Sequence, residues 1–334
     1  MVFISVVAVS TAFGEGEKYK DYTVTGPYTH QNLSVFLVHG KDAFAGKDFM
    51  TLEEALDAKK FVVYETGDVN ELQVENKSKD EKVFIQSGDI IKGGRQDRVI
   101  QRDMILKPRS GKRNISVFCV ESGRWEGRGQ ENSQVFSSSK NQLPSKALKL
   151  AANSPSSTVA AAPQQQVWAQ VGVAQENLSA NMGKNVKSKA SESSLLLALE
   201  NKDLKKLVKE YSDDINGQIK DSKDVVGYVF TINGQINSGD IYGNNALFTK
   251  LWSKLAGSCS TEAISERNKV KNFKELRPGD ITAWLGDAEK VKVRKKSVDQ
   301  YNAAAEQDTA GFYSRESYEK DKPELLIHKT IIKK

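Results

Sequence analysis

The sequence predicts an α+β chain in which an antiparallel, β-rich sheet or sandwich is joined by packed helices in the C-terminal half. Three observations point there. Short β-rich runs follow one another at close spacing between residues 31 and 125. Asn233-Gly234 separates two further runs with the chemistry of a tight hairpin turn. Apolar residues recur at helical spacing from Val167 onward. The sequence shows no internal repeat, and its 334 residues allow one large domain or two ordinary ones. We read a single α+β domain over 15–334, preceded by a signal-like segment at 1–14.

Along the chain, 33–39 (LSVFLVH) reads as a strand, and Thr51 and Glu54 form a capping box that opens a helix through Lys59. Residues 61–66, 71–76 and 82–86 are β-rich runs split by Gly67-Asp68 and by 77–80. Residues 100–106 and 115–121 extend this meander around Lys107-Pro108-Arg109-Ser110-Gly111, where Pro and Gly favour a turn. Composition then shifts toward Ser, Gln, Asn and Ala, which predicts a long polar surface loop over 127–166. Helical spacing resumes with Val167, Trp168, Val171 and Leu178, and again from Leu195 to Tyr211. The hairpin 225–242 and a helix over 246–255, apolar at Leu247, Phe248, Leu251, Trp252 and Leu255, come next. The remainder reads as strands at 281–285, 291–294, 311–317 and 325–332, with a helix at 298–307.

Composition narrows the function classes. Lys and Arg total 49 against 43 Asp and Glu, a net charge of +6. The bases are dispersed, which argues against a nucleic-acid partner. The densest run, 290–296 (KVKVRKK), alternates charge with Val and reads as the solvated face of a strand. Residues 2–13 are apolar and end in small residues, so export to the periplasm or beyond is expected, with a cytoplasmic chain as the alternative. No later stretch reaches the ~18 apolar residues of a membrane span. Cys119 and Cys259 lack CxxC spacing; one disulfide or two buried thiols are both compatible with them. His30, His39 and His328 form no metal-binding motif, and neither a metal nor a cofactor is expected.

The segment 83–125 concentrates the candidate chemistry. Lys92-Gly93-Gly94-Arg95-Gln96-Asp97-Arg98 is a charged glycine turn. Its amides, with Lys92, Arg95 and Arg98, are suited to an anion, or else its charges pair locally with Asp89, Asp97 and Asp103. Asp89 and Glu121 are candidate acid and base if their strands lie side by side, and otherwise each neutralises a nearby Arg. Gln96 can read an amide or base edge or brace the turn. Arg124-Trp125 offers a stacking platform for a flat or cationic group, or a core anchor. No GxxxxGK[ST], GxGxxG or GxSxG occurs.

These pieces are set in an ordered pattern. It comprises Leu33 to Leu37, Met50-Thr51-Leu52-Glu53-Glu54-Ala55-Leu56, Val74-Glu75-Asn76, Gly88-Asp89 through Arg98, Leu106-Lys107-Pro108, Cys119-Val120-Glu121 and Gly123-Arg124-Trp125. Val167-Trp168, Val226-Gly227 to Gly243, and Leu247-Phe248 to Leu255 continue it. The whole, over most of 31–264, resembles the bacterial domain family named for association with ADP-ribosylglycohydrolase and rhodanese-phosphatase genes. The resemblance implies genomic company with ADP-ribose metabolism and no particular reaction.

The expected function is therefore a non-enzymatic module binding a small anionic ligand (phosphate, a nucleotide or an ADP-ribose-like compound) or a partner. The expected site is Asp89, Lys92, Gly93, Gly94, Arg95, Gln96, Arg98, Glu121, Arg124 and Trp125. Two alternatives stand beside it: a hydrolase of a phosphorylated or ADP-ribose-type substrate using Asp89 and Glu121, and a structural domain whose polar loop docks a protein partner.

Overall fold

The computed structural model describes residues 16–44, 49–127, 132–153, 163–217, 219, 222–267, 272–290 and 294–334. The signal-like segment 1–14 lies outside them. In chain order the first half holds β1 (Glu17–Tyr19), β2 (Tyr22–His30), β3 (Leu33–His39), β4 (Phe49–Thr51), α1 (Leu52–Asp57), β5 (Phe61–Glu65), β6 (Glu71–Asn76), β7 (Lys82–Ile85), β8 (Asp89–Gly93), β9 (Arg98–Ile100), β10 (Met104–Leu106), β11 (Arg113–Cys119) and β12 (Phe136–Gln142). The second half holds α2 (Lys146–Asn153), α3 (Pro163–Met182), α4 (Leu195–Leu199), α5 (Lys202–Asn216), β13 (Val225–Ile232), β14 (Gln235–Tyr242), α6 (Asn245–Ser265), α7 (Pro278–Glu289), β15 (Lys296–Ser297), β16 (Asn302–Asp308), β17 (Phe312–Glu319) and β18 (Lys322–Lys333). The α+β class stands, with most helices in the C-terminal half.

The strands form three sheets rather than one spanning 31–125. A nine-stranded antiparallel sheet runs β1-β2-β3-β13-β14-β18-β17-β16-β15, a six-stranded sheet runs β12-β8-β9-β11-β6-β5, and β10-β7-β4 forms a third. β3 leaves its sequence neighbours because it pairs with β13, Leu33 opposite Ile232 and Leu37 opposite Tyr228. Both faces of β3 are covered, which explains its unbroken apolar run. Leu33, Val35 and Leu37 join the large core under α6, while Phe36 and Val38 face Ile281, Trp284 and Leu285 of α7.

Local signals hold where they are strong. Thr51 Oγ1 accepts the Glu54 amide at 3.2 Å and the Glu54 carboxylate accepts the Thr51 amide at 2.8 Å, so α1 starts on the expected capping box. The 225–242 hairpin turns at Asn233-Gly234, both with positive φ. Four expectations fail for identifiable reasons. Residues 281–285 are helical, since Pro278 starts α7, Asp280 accepts the Arg277 amide, and Ile281, Trp284, Leu285 and Ala288 make one buried helical face. The helix expected over 298–307 is instead β16, whose alanines Ala303, Ala304 and Ala305 are held in register by β17, sheet pairing overriding alanine's helical preference. The predicted strand 100–106 divides into β9 and β10, which belong to different sheets. The loop expected over 127–166 contains β12 and α2. β12 is an edge strand whose backbone pairing with β8 tolerates Ser side chains, and α2 buries Leu148, Ala151 and Ala152. Most of the predicted strand at 291–294 lies outside the described residues, as do three of the seven residues of the KVKVRKK run.

Candidate functional site

The charged turn joins β8 to β9. Gly93 and Gly94 take φ of +113° and +60°, and a Cβ at either would lie 2.4 Å from the Val135 oxygen or 2.1 Å from the Phe136 ring. The glycines are therefore required by β12 crossing beneath them. The Gly93 amide donates to Asp97 Oδ1 at 2.9 Å, Gly94 to the Val135 oxygen at 3.0 Å, and Arg95 to Glu65 Oε2 at 3.2 Å. The protein's own acceptors thus occupy the backbone donors read as an anion cradle. Lys92 is also engaged, with Glu200 at 2.8 Å.

Arg98 has no exposed surface, and a guanidinium so placed must keep its charge compensated by the protein. Its Nη1 donates to the Gln96 oxygen at 2.8 Å, and the buried carboxylate of Glu65 lies 3.8 Å from Nη2. Beside it Arg124 donates to Glu121 Oε2 at 2.7 Å and lies 3.9 Å from Asp97. Gln96 Nε2 and Trp168 Nε1 both donate to the Glu121 backbone oxygen, which fixes the strand end. Trp125 closes the cluster: its ring lies 5.5 Å from the guanidinium carbon of Arg95 and 5.5 Å from that of Arg98. At 40% exposure it is no core anchor. It borders an open groove of about 640 Å³ lined by Ser122 to Gly127 and Ala190 to Ser193.

The structure brings Arg95, Gln96, Arg98, Glu121, Arg124 and Trp125 together but separates Asp89 from Glu121. Ile91 pairs with Arg98, and Arg98 with Cys119. Asp89 therefore sits two residues to one side of that row and Glu121 two to the other, on the order of 13 Å along the strands. Asp89 instead faces Lys254 at 3.1 Å and accepts the Gln86 amide. Each carboxylate neutralises its own cation, so the arrangement offers stacking and charge recognition at the groove rather than paired acid–base chemistry. Among the described residues no three His, Cys, Asp or Glu side chains are grouped to hold a metal.

One polar cluster had no local signal in the sequence. His328 of β18 is buried between Asp103, 2.7 Å from Nδ1, and Asp240, 3.1 Å from Nε2. Tyr228 donates to Asp240 at 2.6 Å, Ser317 to Asp103 at 2.7 Å, and the Tyr242 ring stacks on the imidazole at 4.6 Å. Burial alone would lower the histidine's pKa, but the two carboxylates raise it to about 10. Burial works equally against the Asp103 carboxylate, which His328 nonetheless holds down to about 2. Every ring nitrogen is satisfied inside the protein, so the cluster braces β14, β17 and β18. Its members come from distant strands, which is why spacing did not reveal it. Cys119 and Cys259 are both free buried thiols, and burial pushes them up to about 11 and about 12.

Residues 21–331 match the family described as the ARG and Rhodanese-Phosphatase-superfamily-associated Protein domain. The match runs past residue 264, where the motif resemblance stopped, and takes in β15 to β17 and most of β18. No curated protein and no solved structure matches the chain.

Proposed function

Since the chain belongs to the ARG and Rhodanese-Phosphatase-superfamily-associated Protein family, whose name records an association of genes and not a reaction, we propose a function from the site itself: the protein is a binding module for an anionic ligand bearing a flat group. The observation that carries this reading is Trp125, an indole 40% exposed at the edge of a groove with two guanidiniums within 5.5 Å of its ring centre. An aromatic face stacks on a base or planar sugar edge, and Arg95 supplies positive potential beside it. A nucleotide or an ADP-ribose-like compound combines those two features. Arg98 belongs to the support and not to the contact surface, because it is wholly buried. Export directed by residues 1–14 is part of the proposal and is read by mass spectrometry of the chain recovered from a periplasmic fraction.

The test is a thermal-shift panel with ADP-ribose, AMP, ribose 5-phosphate and inorganic phosphate. The proposal expects stabilisation by the compounds that carry a base, lost in Trp125→Ala and weakened in Arg95→Ala. Equal shifts in the wild type and in Trp125→Ala, or no shift with any compound, would remove it.

A further inference from the structure

A second pocket lies on the far side of the β9–β10 turn and shares no residue with the Trp125 groove. Its volume is about 300 Å³, and Arg102, Arg294, Lys296, Ser297, Val298, Ala304, Glu306 and Arg315 line it. Four cations face one carboxylate, a local excess of three positive charges. Its floor is built by sheet register: on β17 Arg315 lies opposite Glu306 of β16 and Thr330 of β18. The Arg315 side chain is only 3% exposed, and its Nη1 meets Glu306 Oε1 at 3.2 Å. That same oxygen also accepts the Tyr313 hydroxyl at 3.3 Å, so the single acid is shared. The buried Nε of Arg315 has no hydrogen-bond partner among the described residues.

Such a donor is costly to leave unmade, at roughly 1 to 3 kcal/mol for a buried group and more for a charged one. Arg102, Arg294 and Lys296 stand exposed at the rim, and none of them has an acid within ion-pair distance among the described residues. This differs from the β8–β9 turn, where every cation except Arg95 has its own carboxylate. Cations without a paired acid among the described residues, set around a buried arginine, are the arrangement that recognises a compact dianion. Ala304 in the floor and Val298 at the rim offer apolar surface for a small carbon skeleton. The volume falls at the lower end of small-molecule pockets, which span about 300 to 1,000 Å³.

We propose that this pocket binds a phosphomonoester, with Arg315 at its floor and Arg102, Arg294 and Lys296 closing on the phosphate from the rim. The dianion offsets most of the excess charge that the four cations and one carboxylate of the lining leave. This goes beyond the Trp125 reading, and the two stand independently.

The experiment is calorimetric titration of the full chain at low ionic strength with glycerol 3-phosphate and inorganic phosphate. Sulfate, acetate and a single-stranded oligonucleotide are the comparison arms. Expected are one glycerol 3-phosphate bound per chain and at least a tenfold loss of affinity in Arg102→Ala and in Lys296→Ala. Both side chains are exposed, so these variants keep the fold. Arg315→Lys, which retains the charge but not the fork, is expected to weaken binding, while Trp125→Ala leaves it unchanged. Absence of glycerol 3-phosphate binding in the folded wild type overturns the proposal. So does binding that survives the combined Arg102→Ala, Arg294→Ala, Lys296→Ala change. Rim-dependent binding of the oligonucleotide without glycerol 3-phosphate binding overturns it in favour of a polyanion surface, and equal affinity for sulfate and acetate reduces it to unselective charge.

Discussion

Trp125 covers Arg98: the indole is 40% exposed and the guanidinium beneath it, 5.5 Å from the ring centre, is not exposed at all. One residue meets the solvent side and the other the protein side of the same contact, so their substitutions should separate. Trp125→Ala is expected to cost about 1 kcal/mol or less in stability, the scale of a partly exposed cation–π contact, while removing ligand-dependent stabilisation. Arg98→Ala leaves Glu65 and its acidic neighbours uncompensated and is expected to cost about 3 to 5 kcal/mol. Urea unfolding of both variants, with and without AMP, checks the pair.

At the turn itself, Gly93→Ala should destabilise by about 1 to 3 kcal/mol, the range for a residue forced into a sparsely populated backbone region. The clash of a Cβ with the Val135 oxygen at 2.4 Å adds to that strain. Gly111, also at positive φ but with open space around it, should show the smaller loss. The larger loss of urea midpoint is expected at 93, from both its φ of +113° against +64° and the contact with Val135.

Three buried groups contribute strongly to the pH dependence of stability. His328 has its pKa raised from 6.5 to about 10 in the folded chain. Its contribution is complete below pH 6.5 and is lost as pH rises from there through 10. Asp103, lowered from 3.8 to about 2, contributes above 3.8 and is lost as pH falls through 2. Burial pushes Glu262 from 4.5 up to about 7, so the native chain keeps a proton that the unfolded chain releases, and stability falls between those values. These three groups together favour a maximum near pH 4 to 5, which chemical denaturation across pH 3 to 10 would locate.

Glu262→Gln isolates one of those contributions. The substitution keeps an acceptor for the Lys146 amide and for Asn237 Nδ2, which now reach Oε1 at 2.7 and 2.8 Å. It removes the titration, and the fall in stability between pH 4.5 and 7 should flatten by on the order of 3 kcal/mol. An unchanged slope would assign that window to other groups.

The two thiols should be inert in the native chain. Both are buried with raised pKa, and the thiolate is the reactive form. Ellman's reagent at pH 8 is expected to titrate neither within the time that a denatured sample releases two equivalents. Rapid reaction of one thiol in the folded protein would place it on a mobile segment.

Much of the architecture was legible locally. The apolar run 33–39, the Thr51–Glu54 box, the Asn233-Gly234 turn and the apolar face of α6 are each specified by neighbours within a few residues, and each stands where expected. The cluster around Trp125 was legible in part, because β8, β9 and β11 follow one another closely and carry their charges on adjacent strand ends. The pairing of Asp89 with Glu121 was not, since one strand register decides whether two side chains meet or lie at opposite ends of a ribbon.

The amino-acid order alone determined the elements whose stabilising contacts are short-range, the family pattern, and the segment where charge and glycine gather. The tertiary structure decided which of those charges remain open. It brought Glu65 to Arg98, Glu200 to Lys92 and Lys254 to Asp89, closing most of the predicted site, and among the described residues it gave Arg102, Arg294 and Lys296 around Arg315 no acid within ion-pair distance. Charge acts through space over a few ångströms, and a folded chain sets those distances between residues that sequence spacing holds far apart.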